Sequence, residues 1–363
     1  MSAISSSAEG VFDWSELPVL PDPVGFAAPF AGMSEGALLV AGGTNIRPDI
    51  PGESVWKGST KIWHDRIFKL SSPTGEWSLA GKLPQPRAYG VSVTIPEGVL
   101  CVGGSNQDEP TDEVFLMRLI GDDVVTELWP ALPAPLHYAS GLLIGQTVYI
   151  AGGVNKPEAK PVGELLALDL EVAPAQREWR QVEPWPGKPR MLAKAGSLGG
   201  ELYLFSGLNL VEGDADDGLE REYLFDSWRY TPGQGWTRLA DIPMALQATP
   251  SPAPTLDASH LFVLGGDDGK YLKTTPHLQD NHPGFPPAVY GYHLIRDEWA
   301  EMDQLPHDPG PDPARDPNAG IWPPIVAPVV EWQGGWAIVN GEVRPGTRTP
   351  RVLFARLKNT RPK

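Results

Sequence analysis

The chain is poor in cysteine, with Cys101 alone among 363 residues. That excludes an intrachain disulfide and any zinc site built on several thiolates. Cys101 lies in the apolar run Gly98 to Val102 with no suitable base near it in sequence, so it reads as a buried strand residue rather than a nucleophile. Long apolar runs are missing as well; none approaches the ~18 residues of a membrane helix. The opening MSAISSSAEGVFDW has neither a basic n-region nor an apolar h-region, so it is not read as a secretory leader. The expected location is cytoplasmic, or periplasmic if a leader has been removed. Positive charge is scarce: 29 Lys and Arg stand against 45 Asp and Glu, a net charge of −16. Such a surface repels phosphate backbones and anionic membranes, so neither is an expected partner. An anionic small molecule needs a local positive pocket within this field. The sequence carries no signal for oligomeric state.

What is abundant is turn-forming residues: 40 Gly and 40 Pro. Without a period, that excess would suggest disorder. Here it separates regular apolar runs, the pattern of many short strands and tight connections. A strand ending in two small residues recurs six times: ALLVAGG (37–43), GVLCVGG (98–104), TVYIAGG (147–153), ELYLFSG (201–207), HLFVLGG (260–266) and GWAIVNG (335–341). Trp77, Trp129, Trp179, Trp236 and Trp299 close most units, each followed by a Leu-Pro, Trp-Pro or Ile-Pro turn. The spacing between doublets runs from 49 residues (103 to 152) to 75 (265 to 340). This is the kelch pattern of roughly 50 residues per unit.

The fold class expected is all-β: a six-bladed kelch-type β-propeller, formed as a single domain over residues 1–363. Each four-stranded unit can bury both faces only by stacking on its neighbours. The doublets allow close backbone approach, and the tryptophans fill the wide outer wedges. The length variation falls in 44–62, 208–224, 267–289 and 306–320. The last unit lacks a closing tryptophan strand. The N-terminal FDWSELPVLP supplies one, so a strand near 11–18 is expected to complete the C-terminal blade and remove an open edge. Almost no helix is expected.

In a four-stranded meander, strand b ends on the face where strand a begins, so the residues past each doublet share a face with the first-strand openings. The second residue past the doublet is Asn45, Asn106, Asn155 and Asn209 in four units. Asparagine suits turns, so a turn role competes with ligand contact at each. The sixth unit instead places Glu342 directly after its doublet, a costly position unless the carboxylate is paired or used. Arg348 follows in NGEVRPGTRT, and Pro345-Gly346 reads as a type II turn that brings the two together. A local salt bridge is the simpler reading from spacing; an acid/base group beside a cation is the sharper one. Arg87 and Arg190 stand at strand openings, with His137 at the corresponding place in LHYASG. Together these arginines could build an anion site; singly, each suits a loop or blade-joining ion pair.

NGEVRPGTRT (340–349) resembles the NGE-x-x-PG-x-RT motif of the sialic acid mutarotases, the N-acetylneuraminate epimerases. RAYGVS (87–92) and FAGMSEGALLVAGG (30–43) resemble two further motifs of that family, in rotated order, as in its cyclically permuted branch. The likeness runs over the whole chain at the level of the repeat, but only the NGE…R and RAYG segments are specific. It implies an isomerase that interconverts the anomers of a sialic acid or related sugar, an anionic small-molecule substrate, without cofactor or metal. It further implies that Glu342 and Arg348 are essential and that Arg87 is a pocket residue. Glu342 would shuttle the proton. Arg348 would hold the sugar carboxylate or stabilise developing oxyanion charge. His64, His137 and Tyr89 are the candidates for a second acid/base group. The long loops show no match, which leaves the sugar open.

Rival readings remain: a non-catalytic kelch propeller binding a protein or glycan, or an epimerase for a sugar without a carboxylate. A copper-radical oxidase does not fit Cys101 and the scattered histidines. DADDG (214–218) lacks the spaced glutamate of a calcium loop, and HDPGPDPARDPN (307–318) reads as a Pro-rich surface loop.

Overall fold

The computed structural model describes residues 2–3, 10–156, 159–213 and 218–358; of DADDG, residues 214–217 lie outside them. Six antiparallel four-stranded units surround an axis. Blade 1 comprises Phe30–Ser34, Ala37–Ala41, Arg66–Leu70 and Ser78–Lys82. Blade 2 comprises Val91–Ile95, Gly98–Val102, Val114–Ile120 and Asp123–Trp129. Blade 3 comprises Ser140–Ile144, Thr147–Ala151, Leu165–Asp169 and Trp179–Val182. Blade 4 comprises Lys194–Leu198, Glu201–Phe205, Ser227–Thr231 and Gly235–Leu239. Blade 5 comprises Thr255–Leu256, His260–Leu264, Ala288–His293 and Glu298–Gln304. Blade 6 comprises Val329–Trp332, Gly335–Val339, Val352–Leu357 and, from the start of the chain, Phe12–Leu17. Phe12 pairs with Leu357 and Leu17 with Val352; Ser2–Ala3 adds a short fifth strand outside. Helix among the described residues is limited to the single turn Thr275–Leu278 and short 3-10 segments.

The second strands ALLVA and GVLCV are buried at every position because neighbouring blades cover both faces. The outer strand Asp123–Trp129 is largely open. Six apolar clusters result, one at each junction between adjacent blades. Tryptophans on outer strands fasten these wedges. The indole N–H groups of Trp77, Trp179, Trp236 and Trp299 donate to the carbonyls of Pro18, Pro130, Glu183 and Ala240, each on the preceding blade, at 2.7–3.0 Å.

Near the axis the blades meet in a closed ring. Ala28, Tyr89, Tyr138, Leu192, Ala248 and Val326 come one from each blade opening. Each N–H donates to the carbonyl of the ring residue before it, and Ala28 closes the circle on Val326, at 2.7–3.1 Å. All six have φ between 45° and 61°. Non-glycine residues there carry strain on the order of 1 kcal/mol each, tolerated because the ring satisfies every one of these donors.

Four blades carry extra structure, all between their second and third strands and so on one face. Blade 1 bears the hairpin Thr44–Pro48/Ser59–Trp63, blade 4 Leu208–Glu212/Leu219–Tyr223, and blade 6 Glu342–Arg344/Thr347–Arg348. Blade 5 bears the 267–287 flap with the turn Thr275–Leu278. The long loops expected at 44–62 and 208–224 are thus mostly hairpins.

Candidate active site

The register at the axis follows from six bridges: Ala27–Thr44, Ala88–Ser105, His137–Val154, Met191–Leu208, Gln247–Asp267 and Ile325–Glu342. Each links the residue before a ring member to the first residue past a doublet. Glu342 therefore occupies the position held elsewhere by Thr44, Ser105, Val154, Leu208 and Asp267. Above the ring on this face is a cavity of about 460 Å³. Tyr89, Tyr138, Leu192, Ala248 and Val326 of the ring line it, with Glu342, Asp267, Gln247 and Arg221 around the sides. The blade 5 flap adds Tyr271, His282 and Phe285.

Glu342 and Arg348 are opposite one another in the blade 6 hairpin. The turn between them is Pro345-Gly346, with Gly346 at φ 81° as a type II turn requires. Glu342 Oε1 accepts from the Gly346 N–H at 3.1 Å and lies 3.3 Å from Arg348 Nη1. The Glu342 side chain keeps one-fifth of its surface open, whereas Arg348 is buried at 3%. That contact has ion-pair but not hydrogen-bond geometry, and Arg348 Nε likewise has no hydrogen-bond partner. Arg348 thus stands behind Glu342 rather than in the cavity wall. The blade 1 hairpin packs against this one. Its Asn45 is fully buried, with neither amide atom hydrogen-bonded among the described residues.

The other polar groups of the cavity are held to different degrees. Asp267 is well held: its carboxylate accepts from Tyr223 Oη at 3.2 Å, Gln247 Nε2 at 2.5 Å and the Gly269 N–H at 2.9 Å. The Tyr89 hydroxyl shares a hydrogen bond with Thr44 Oγ1 at 2.9 Å, and Lys61 Nζ lies 4.5 Å over its ring. Burial raises the Tyr138 phenol well above its ordinary value; Tyr89 and Glu342 push it the same way, and Arg221 and Arg348 oppose them. His282 is lowered by burial, and its Nδ1 accepts the Gly284 N–H at 3.1 Å, which puts the neutral ring's proton on Nε2.

Several sequence candidates lie elsewhere. Arg87 pairs with Glu113 at 2.8 Å and covers the Phe115 ring. Arg190, fully buried, is held by Asp226, by the Ser206 carbonyl at 3.0 Å and by the Trp185 ring. Their equivalents in other blades are Phe26, Leu136, Leu246 and Pro324, so this position faces the blade wall, where a guanidinium serves an ion pair. His137 is not the equivalent of these arginines. The bridges align it with Ala88 and align Tyr138 with Tyr89, a one-residue correction that moves the side chain to another face. His137 stacks on Tyr138 at 4.2 Å, and burial, with Lys61 second, lowers its pKa to about 4. His64 packs on Phe26 at 4.8 Å, outside the cavity lining.

The asparagines sit one residue beyond the bridged position and point away from it. Asn106 accepts from the Asp108 and Glu109 N–H groups at 2.8 and 2.9 Å, the turn role. Asn209 donates to Glu222 at 3.2 Å, and Asn155 is half-buried outside the cavity. Sequence reasoning missed Tyr138, Arg221, Asp267 and His282. Aligning the units on the bridged position would have found Tyr138 and Asp267; Arg221 and His282 come from insertions without counterparts.

Fold and site together define a six-bladed β-propeller with a carboxylate–guanidinium pair at the mouth of an axial cavity. Part of the chain is similar to the N-acetylneuraminate epimerases: the model of that family matches residues 3–126. An N-acetylneuraminate epimerase of Haemophilus influenzae (strain 86-028NP) is 38% identical over 108 residues, 27% of this chain and 28% of that one. One from Yersinia pestis (strain Pestoides F) is 40% identical over 91 residues, 22% and 21% of the two chains. One from Brucella suis (strain ATCC 23445 / NCTC 10510) is 32% identical over 131 residues, 33% of each. The matched part of the chain thus spans a third or less of these relatives' length. The solved structure of YjhT superposes with a TM-score of 0.65 over 95% of this chain and 98% of that one at 15% identity, a likeness of fold. The family-matched residues include Tyr89 but end before Tyr138 and Glu342.

Proposed function

We propose that the protein is a mutarotase that interconverts the anomers of a sialic acid or closely related sugar acid at the axial cavity. The observation that carries this reading is the Glu342 carboxylate, presented to a cavity of about 460 Å³ and fixed by the Gly346 N–H and Arg348. That volume is within the ~300–1,000 Å³ of small-molecule sites. The partial matches to N-acetylneuraminate epimerases supply the substrate class.

Mutarotation opens a cyclic hemiketal and recloses it on the other face. One proton leaves the anomeric hydroxyl and another reaches the ring oxygen; the sequence reverses on closure. Glu342 takes the first proton, its Oε2 having no hydrogen-bond partner among the described residues while Oε1 is held. Arg348, buried behind it, keeps the carboxylate in place. The guanidinium in the cavity wall is Arg221, which meets the sugar carboxylate in this reading. The direct test is one-dimensional proton NMR of freshly dissolved α-N-acetylneuraminate with and without the protein. Faster approach to the anomeric equilibrium supports the proposal, and an unchanged rate overturns it.

A further inference from the structure

Ring opening needs a proton donor for the ring oxygen as well as a base, and the cavity holds few groups able to supply it. His64 and His137 are outside its lining, while Tyr271 and His282 enter it from the blade 5 flap, packed ring against ring at 5.3 Å, and not from the closed axial ring that borders Glu342. Asp267 already accepts three hydrogen bonds, and the Tyr89 hydroxyl is engaged with Thr44. Tyr138 differs: it lines the cavity with Glu342, and its hydroxyl has no hydrogen-bond partner among the described residues.

Its placement is fixed from several sides. The Tyr138 N–H donates to the Tyr89 carbonyl at 2.9 Å, and its own carbonyl accepts from Leu192 at 2.9 Å, as part of the closed ring. Its left-handed φ of 56° is unusual for an aromatic residue and is imposed by that ring. The side chain is braced by Tyr89, with ring centroids 4.9 Å apart, and by His137 at 4.2 Å. A group so held needs little reorganisation when charge develops.

Resting on the mutarotase reading, the geometry points to Tyr138 as the proton donor to the ring oxygen, opposite Glu342 as the base. The step balances. Glu342 takes the anomeric hydroxyl proton as the bond from the anomeric carbon to the ring oxygen breaks. The ring oxygen leaves with that electron pair and takes the phenolic proton. An open-chain keto sugar, a protonated Glu342 and a Tyr138 phenolate result. Rotation about the bond next to the carbonyl exposes its other face. On closure the hydroxyl attacks the carbonyl carbon and returns its proton to Tyr138, while the new anomeric oxygen takes the proton from Glu342. The phenolate exists only between these steps; Arg221 and Arg348 are the cations that act on it, and Tyr89 and Glu342 oppose them. The phenol, raised further by burial, is protonated at neutral pH, as a donor must be.

The test measures anomer conversion of N-acetylneuraminate by proton NMR for wild type, Tyr138→Phe and Glu342→Gln. Tyr138→Phe should lower kcat at least ~100-fold, the lower range for a general acid, with little change in KM. Replacing Tyr138 by 3,5-difluorotyrosine keeps the side chain's shape while lowering the phenol's pKa. The basic limb of the kcat profile should then move to lower pH, a shift that a merely structural role would not produce. Tyr138→Phe within threefold of wild type, or an unmoved basic limb in the fluorinated protein, removes Tyr138 as donor while leaving mutarotation at Glu342 intact. A wild-type protein that does not accelerate anomer exchange overturns both.

Discussion

Glu342 and Arg348 face each other across the short blade 6 hairpin, Oε1 3.3 Å from Nη1, with the carboxylate partly open and the guanidinium buried. The asymmetry matters because the open partner can reach a substrate while the hidden one sets its position. Removing Arg348 leaves a carboxylate at the cavity with no paired cation. Arg348→Met should therefore cost about 1–3 kcal/mol, somewhat below the usual loss for a fully buried pair because Glu342 is partly solvated. Urea denaturation, compared with Glu342→Gln in the same buffer, checks this; an Arg348→Met protein as stable as wild type would contradict the pairing.

Lys194 opens the first strand of blade 4 and is completely buried, with no hydrogen-bond partner for its amine among the described residues. Burial depresses its pKa well below the ordinary value. The unfolded chain then binds a proton that the folded chain resists, so this residue lowers stability below the unfolded pKa of about 10.4, and the penalty shrinks as pH rises toward that value. Lys194→Met should raise stability by about 1–4 kcal/mol at pH 7 and flatten the rise in stability between pH 8 and 10. Thermal unfolding across that range decides it.

His137 gives the complementary acid dependence. Its pKa of about 4 in the folded protein is below the model-peptide value of about 6.5. Between those values the unfolded chain takes up a proton that the folded one does not. Stability should fall as pH drops from about 6.5 to about 4 and then level, by about 1–3 kcal/mol for this half-buried ring. His137→Gln should remove that part of the acid loss, measured by urea denaturation at pH 4.5 and pH 7.

Gly152 marks how closely the blades approach. Its φ is 64°, and a Cβ there would lie 2.3 Å from the Arg190 carbonyl oxygen, a backbone atom that cannot move aside alone. Gly152→Ala combines left-handed strain with a backbone clash and should cost at least ~3 kcal/mol. A thermal midpoint within a degree of wild type would contradict the close approach.

The repeating features of this architecture were legible because each recurs. ALLVAGG and its five relatives mark the buried second strands, and the tryptophans mark the outer wedges. The Glu342–Arg348 pairing was legible because a Pro345-Gly346 turn fixes it locally. What was misread depended on register across the chain. Arg87 and Arg190 were open between a shared anion site and blade-joining ion pairs, and their blade equivalents Phe26, Leu136 and Leu246 show a wall position, where the ion pairs form. The asparagines stand one residue past the bridged site, and one residue reverses the face of an extended strand. Arg221, His282 and the flap reach the cavity from insertions in single blades, where no repeat offers a guide.

The central claim concerns Glu342, and its most direct test is the initial rate of α-to-β conversion of N-acetylneuraminate, followed by proton NMR for wild type and Glu342→Gln side by side. The account predicts that wild type accelerates conversion and that Glu342→Gln, still folded by its thermal transition, loses at least ~100-fold of that acceleration. A folded Glu342→Gln protein that converts the anomers as fast as wild type would contradict it.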